Sequence, residues 1–212
     1  MSLAEPDVAL TDFTIALEGA VLGALVHARG TNARARRWWA AFFWAVAVGA
    51  LLGGVSHGFP PAHEPMRTAI WRLTLLAIGV GTLCAWGAGA HAIAPARRRL
   101  VLIIAAGLFV VYATVVLFVT DAFGVAIVHY AAGAAFLLVV LMRVWFRSGP
   151  PSALVGALGV VMLAVGSLVQ WRRWELPAPS LTPNAVYHVI EMAALVLLYV
   201  AARGLTSTSA RC

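Results

Sequence analysis

Arg97-Arg98-Arg99 leads directly into LVLIIAAGLFVVYATVVLFV, residues 100–119, and that stretch decides the fold. From Leu100 to Val119 it carries no charged residue, which matches the roughly 20 apolar residues a helix needs to cross a bilayer. Working outward, the same pattern recurs along the chain, predicting membrane helices near 12–28, 38–58, 69–92, 99–119, 123–146, 152–171 and 184–203. Composition agrees: the 212 residues are 62% hydrophobic and 11% charged, with mean hydropathy +0.92, far from the soluble norm. Alternating strand patterns are absent, so a helical bundle is favoured over a barrel. The expected fold class is all-α: a polytopic membrane protein, one seven-helix transmembrane domain over residues 1–212. The connecting segments are too short to hold a separate soluble core.

Basic residues orient such a bundle, because arginine in short loops is retained on the cytoplasmic side. The chain has no lysine, and eleven of its arginines fall on one side: Arg29, Arg34, Arg36, Arg37, Arg97, Arg98, Arg99, Arg143, Arg147, Arg203 and Arg211. Arg67, Arg72, Arg172 and Arg173 fall on the other, where Glu5, Asp7 and Asp12 make the first segment acidic. The N-terminus is expected outside and the C-terminus in the cytoplasm. Multi-pass insertion into a bacterial cytoplasmic (inner) membrane follows as the expected location, with helix 1 as an anchor rather than a removable signal. The net charge of +7 belongs to these loops and to lipid headgroups, and argues against nucleic acid as a partner. Cys84 and Cys212 imply no disulfide framework. A retinal protein of the microbial type needs a lysine in its last helix for the Schiff base, so no retinal is expected here. Trp38, Trp39, Trp71, Trp145, Trp171 and Trp174 read as interfacial belts; Trp44 and Trp86 read as packing residues.

Polar residues sort by depth. Glu18, His57, Arg72, Asp121, His129, Gln170, Asn184, His188 and Glu191 all belong to the outer third, and the inner halves of their helices are nearly all apolar. At about 1.5 Å per residue, Glu18, His129, His188 and Glu191 lie on the order of 6–10 Å below the outer helix ends, too deep for short side chains to reach water freely. Ionisable groups are expensive in hydrocarbon, so this clustering reads as a built site. Asn184, His188 and Glu191 stand at i, i+4 and i+7, one stripe of helix 7, and Thr11, Thr14 and Glu18 form another on helix 1. Gly49 and Gly53 give helix 2 a small-residue face for close packing. Asp121 is expected to cap helix 5, and Asn184, after the proline-rich segment 177–183, to cap helix 7.

Two kinds of function follow. Imidazole and carboxylate suit zinc or a related metal, and three ligands with an open position form a catalytic arrangement. His57, His129 and His188 would be the ligands, Glu18 or Glu191 the base, and Asn184 the residue orienting His188. A metal-bound hydroxide there would attack a lipid or amide. Whether the protein is an enzyme stays open at this stage, because the same groups suit a receptor, a small-ligand carrier or an accessory subunit. Partners under either reading are membrane lipids and a lipid-like or other small molecule. Oligomeric state is not encoded in any pattern of this sequence.

The Gly53-Gly54-Val55-Ser56-His57-Gly58-Phe59 and Asn184-Ala185-Val186-Tyr187-His188-Val189-Ile190-Glu191 motifs, with Trp71-Arg72-Leu73-Thr74-Leu75, resemble an uncharacterised group of bacterial seven-helix membrane proteins. More distantly, the chain looks similar to the superfamily of alkaline ceramidases and progestin/adipoQ-type receptors. That resemblance implies a zinc held by histidines of helices 2 and 7, here His57 and His188. The sequence departs from that pattern at Gly53, where the superfamily has serine, at Asn184, where it has the first histidine of helix 7, and in helix 3, which lacks its aspartate.

Overall fold

The computed structural model describes residues 3–29, 32–93, 95–174 and 181–207. Among them are seven helices, all long and apolar enough to cross a membrane: α1 (Pro6–Ala28), α2 (Ala33–Gly58), α3 (Glu64–Ala90), α4 (Pro95–Phe118), α5 (Phe123–Ser148), α6 (Pro151–Arg172) and α7 (Pro183–Ser207). Most run past the apolar windows that announce them, and the reason is local. α1, α4, α6 and α7 begin on a proline and α3 begins one residue before Pro65, and proline is favoured at a helix start because its fixed φ suits the first turn and no amide hydrogen is lost there. Gly149, in the left-handed region at φ 67°, closes α5 by donating its N–H to the Trp145 carbonyl at 2.8 Å. Arg211, Cys212 and residues 175–180 of the proline-rich segment lie outside the described residues.

The helices do not form a simple left-to-right series. α1 packs on α2, α2 on α3, α3 on α5, α5 on α6, α6 on α7 and α7 back on α1, which closes a ring of six. α4 stands outside it, against α3 and, more lightly, α5. Its hydrocarbon surface therefore stays outward: Leu100, Ile103, Val110, Val111 and Phe118 are all exposed.

Small residues set the closest approaches. A Cβ at Gly19 of α1 would lie 2.9 Å from the Phe43 carbonyl of α2, and one at Gly159 of α6 would lie 3.0 Å from the Ala194 carbonyl of α7. The two glycines of the expected small-residue face on α2 serve different neighbours. Gly49 meets Ala77 and Ile78 of α3 at ordinary contact distance, whereas Gly53 lies against the Asp12 carboxyl of α1. Trp39 is not a belt residue: it is 1% exposed and stacks on Phe43, because α2 turns Trp39, Phe42 and Phe43 into the core shared with α1, α3 and α7. Trp44 is the opposite case, partly exposed beside His27. Trp86 packs as expected, stacked on Phe136 at 4.2 Å.

Candidate functional site

The ring surrounds a cavity of ≈ 1370 Å³ lined from α1, α2, α3, α5, α6 and α7, with no residue from α4. Close-packed interiors leave few voids larger than a water molecule, so a space of this size is a feature of the architecture. Its deeper walls are apolar, with Val46, Ile78, Leu138, Val160, Leu163 and Leu195 among the lining residues. Its other end, where α1, α3, α5 and α7 begin and α2 and α6 finish, is polar.

Backbone and side chain tie that end together. The Ala4 and Glu5 amides donate to the Gly58 and His57 carbonyls at 3.2 Å each, so the entry to α1 is bound to the exit of α2. Asp7 Oδ2 accepts from the Thr182 amide at 2.8 Å, which binds the start of α1 to the approach to α7. Gln170 Nε2 donates to Asn184 Oδ1 at 2.7 Å between α6 and α7. Arg72 faces Asp121 at 3.4 Å, and the Trp71 indole donates to the Asp121 carbonyl at 2.8 Å. Asp121 thus anchors α3 rather than capping α5, whose cap residue Ala122 offers no side-chain bond. Nor is Asn184 the cap of α7: the helix starts at Pro183, and Thr182 Oγ1 accepts the Ala185 amide at 3.3 Å.

Within this frame, His188 is 7% exposed and points from α7 toward α1. Its Nδ1 lies 2.9 Å from Thr11 Oγ1, and its Nε2 lies 3.5 Å from Asp12 Oδ1. Thr11 Oγ1 also lies 2.9 Å from the Asp7 and Val8 carbonyls. A hydroxyl has one hydrogen; with that hydrogen on a helix carbonyl, Thr11 accepts from His188 Nδ1–H. Nε2 is then turned to Asp12 Oδ1. Asp12 is the residue that sequence reasoning missed as part of the site. It is 5% exposed, lines the cavity, and its Oδ2 has no hydrogen-bond partner. The available signal is its place one residue after Thr11 on the helix 1 stripe; an apolar window opening at residue 12 leaves Asp12 at the edge of an acidic leading segment, whereas α1 begins six residues earlier, at Pro6.

The remaining expected residues divide. Glu191 lines the cavity one turn beyond His188, within electrostatic reach of Asp12 and hydrogen-bonded by Tyr187. His57 lines it from α2, pairs with the exposed Glu5 at 3.1 Å and is near enough to His188 for their charges to interact. Asn184 lines it, bonded to Gln170 instead of orienting His188; Thr11 takes that part. Glu18 faces Glu191 electrostatically from two turns further along α1 but is not a lining residue. His129 stands apart. It stacks on Tyr112 of α4 at 4.2 Å, with the Gly79 backbone beside it, outside the ring's interior. The tertiary arrangement therefore brings His57, His188, Asn184 and Glu191 to one cavity and leaves His129 between α3, α4 and α5. Among the described residues no three histidine, cysteine or acidic side chains are grouped tightly enough to hold a metal ion.

Tyr130 and Tyr187 complete the polar end. The Tyr130 hydroxyl donates to Ser167 Oγ at 2.6 Å, and Ser167 donates to the Leu163 carbonyl at 2.7 Å. The site is then a largely hydrophobic chamber with carboxyls, imidazoles and phenols gathered at one end, suited to holding a molecule with one polar end. No curated protein and no solved structure matches the chain. A family model does, over nearly the whole bundle and all of the site apart from Glu5 and Asp7: the chain belongs to the family described as "Family of unknown function (DUF6962)", matched over residues 8–207.

Proposed function

We propose that this protein is a membrane-embedded binder of an amphipathic small molecule, a receptor or carrier, which takes its ligand's tail into the apolar chamber and its head among Asp12, His188 and Glu191. The observation that carries this reading is the ≈ 1370 Å³ cavity whose carboxyl and imidazole groups gather at one end. Ligand sites are concave and mostly apolar with a few placed polar groups, commonly about 300–1,000 Å³ and often between the helices of bundles. In this reading the arginine-rich end is cytoplasmic, the membrane is a bacterial inner membrane, and the polar end faces outward.

A second reading, metal-dependent hydrolysis of a lipid or amide, is favoured by one observation: His57 and His188 line the same cavity as Asp12 and Glu191. Zinc would then draw its ligands from those four, with Asp12 in the place expected of His129, and would have to bring them closer together than they stand.

Two measurements on detergent-purified protein separate the readings. Lipid extraction with mass spectrometry reads a co-purifying amphiphile, and elemental analysis reads metal. A stoichiometric amphiphile that disappears in Ala134→Phe, which fills the chamber from α5, supports the binding reading. About one equivalent of zinc, lost in both His57→Ala and His188→Ala, would overturn it in favour of the hydrolase.

A further inference from the structure

The polar end of the cavity also specifies the charge of what it holds. Asp12 is 5% exposed, and its Oδ2 lacks a hydrogen-bond donor although the residue lines the cavity. Buried polar atoms are nearly always paired, and an unpaired carboxyl oxygen inside a membrane bundle is costly. The notch that holds it is specific: a Cβ on Gly53 would stand 3.1 Å from Oδ2 and 3.2 Å from Oδ1, so that wall offers the carboxyl only aliphatic hydrogens. Oδ2 itself is covered, and because Asp12 lines the cavity, that is the side from which a ligand's donor can approach the carboxyl.

Glu191 independently adds a second acidic group to the same wall, within electrostatic reach of Asp12. The basic groups at the pair, among the described lining residues, are imidazoles, His188 beside Asp12 and His57 across from it. Among the described lining residues Arg173 is the sole arginine, and it is exposed beyond the end of α6. The Tyr130 and Tyr187 phenols also line the cavity, within electrostatic reach of Glu191. Two acidic groups on one wall and a carboxyl oxygen without a donor describe a receptacle for a cation that carries N–H.

We propose that the head group of the bound amphiphile is a protonated amine, donating to Asp12 Oδ2 and balanced by Glu191, with its hydrocarbon tail in the apolar chamber. The inference rests on the amphiphile-binding reading and narrows its ligand class. An alcohol head supplies the missing hydrogen but leaves the acidic pair unbalanced. A carboxylate or phosphate head sets another anion against that pair. A quaternary ammonium brings the charge with no hydrogen to donate.

Four probes with one tail test this: dodecylamine, dodecyltrimethylammonium, 1-dodecanol and dodecanoate, each titrated against protein purified in a neutral maltoside detergent, with affinity read from thermal stabilisation. The wild type should bind dodecylamine on the order of tenfold to a hundredfold more tightly than 1-dodecanol, the range for a hydrogen bond to a charged group, with dodecanoate weakest. Asp12→Asn should bring dodecylamine down to the level of 1-dodecanol and leave 1-dodecanol unchanged; Glu191→Gln should narrow the gap in part. Equal or tighter binding of 1-dodecanol or dodecanoate by the wild type overturns the amine assignment while upholding the amphiphile site. Dodecyltrimethylammonium as tight as dodecylamine overturns the donated hydrogen bond. If no probe stabilises the wild type, the amphiphile reading falls and takes this inference with it. The wild-type ranking decides the question even where a variant is poorly folded.

Discussion

Asp12→Asn should make the empty protein more stable, although it removes a buried charged residue from the centre of the site. The magnitude follows from the surroundings of the two carboxyl oxygens. Oδ1 faces His188 Nε2 at 3.5 Å, while Oδ2 has no partner and is packed against Gly53. Asparagine has the same shape, can donate from its amide to Nε2, and puts a neutral carbonyl oxygen where the carboxylate oxygen Oδ2 stood. An unsatisfied buried polar group costs about 1–3 kcal/mol and more when it is charged, so exchanging the charged oxygen for a neutral one should stabilise the variant by roughly 1–2 kcal/mol. For a chain of this length that is on the order of 2–8 °C in Tm. Cys84 provides the assay, since its thiol is 5% exposed and becomes reactive when the bundle opens. A thiol-reactive fluorophore in a Cys212→Ser background reports the transition during a thermal ramp in detergent, without added amphiphile. A fall in Tm of several degrees would refute the reasoning, because it would mean that Oδ2 is satisfied in the membrane and that Asp12 is a structural tie.

Other outcomes follow from neighbouring features. Gly19→Ala should destabilise the bundle by about 1–3 kcal/mol, the usual range for overpacking, because its Cβ would meet the Phe43 carbonyl at 2.9 Å; the same thiol assay measures it, and an unchanged Tm would show that α1 and α2 can separate at little cost. His129→Phe should keep the stack on Tyr112 while removing the unpartnered Nε2 and the bond to the Gly79 backbone, leaving ligand affinity and metal content as in the wild type; lost metal would return His129 to the site. Tyr112→Phe removes the 2.7 Å bond from its hydroxyl to the Leu75 carbonyl, a loss of about 0.5–1.5 kcal/mol readable as a lower Tm. At the arginine-rich end, burial holds the His91 pKa below 6.5, with the Arg98 and Arg34 charges acting in the same direction and its bond to the Gly87 carbonyl against them. The unfolded chain therefore takes up a proton here before the folded one does, so stability should decline as pH falls from about 6.5 toward the lowered value. His91→Gln should flatten that part of a Tm-against-pH profile.

The site was half legible. His188 and Glu191 lie on one helix, and helical periodicity alone puts them on one face, so their shared cavity could be read from their spacing. His57 was legible through depth, since it ends α2 at the level where α7 begins. His129 had the same depth signal and lies elsewhere, because depth constrains a residue along the membrane normal and says nothing of its direction around the helix. Asp12 failed for a local reason. Pro6 starts α1 a turn and a half earlier than the apolar window does, which moves Asp12 from a leading segment to the helix face opposite His188.

What the sequence determined by itself is what depends on one helix at a time: long uncharged runs must become spanning helices because no other backbone satisfies its hydrogen bonds in hydrocarbon, and seven runs make seven helices. Tertiary structure alone decided which helices touch. Lipid is as apolar as the helix surfaces, so hydrophobicity does not choose neighbours; fit does, at contacts such as Gly19 on Phe43 and Gly159 on Ala194. Those contacts close six helices into a ring, leave α4 outside with His129 at its border, and turn Asp12 of the first helix toward His188 of the last.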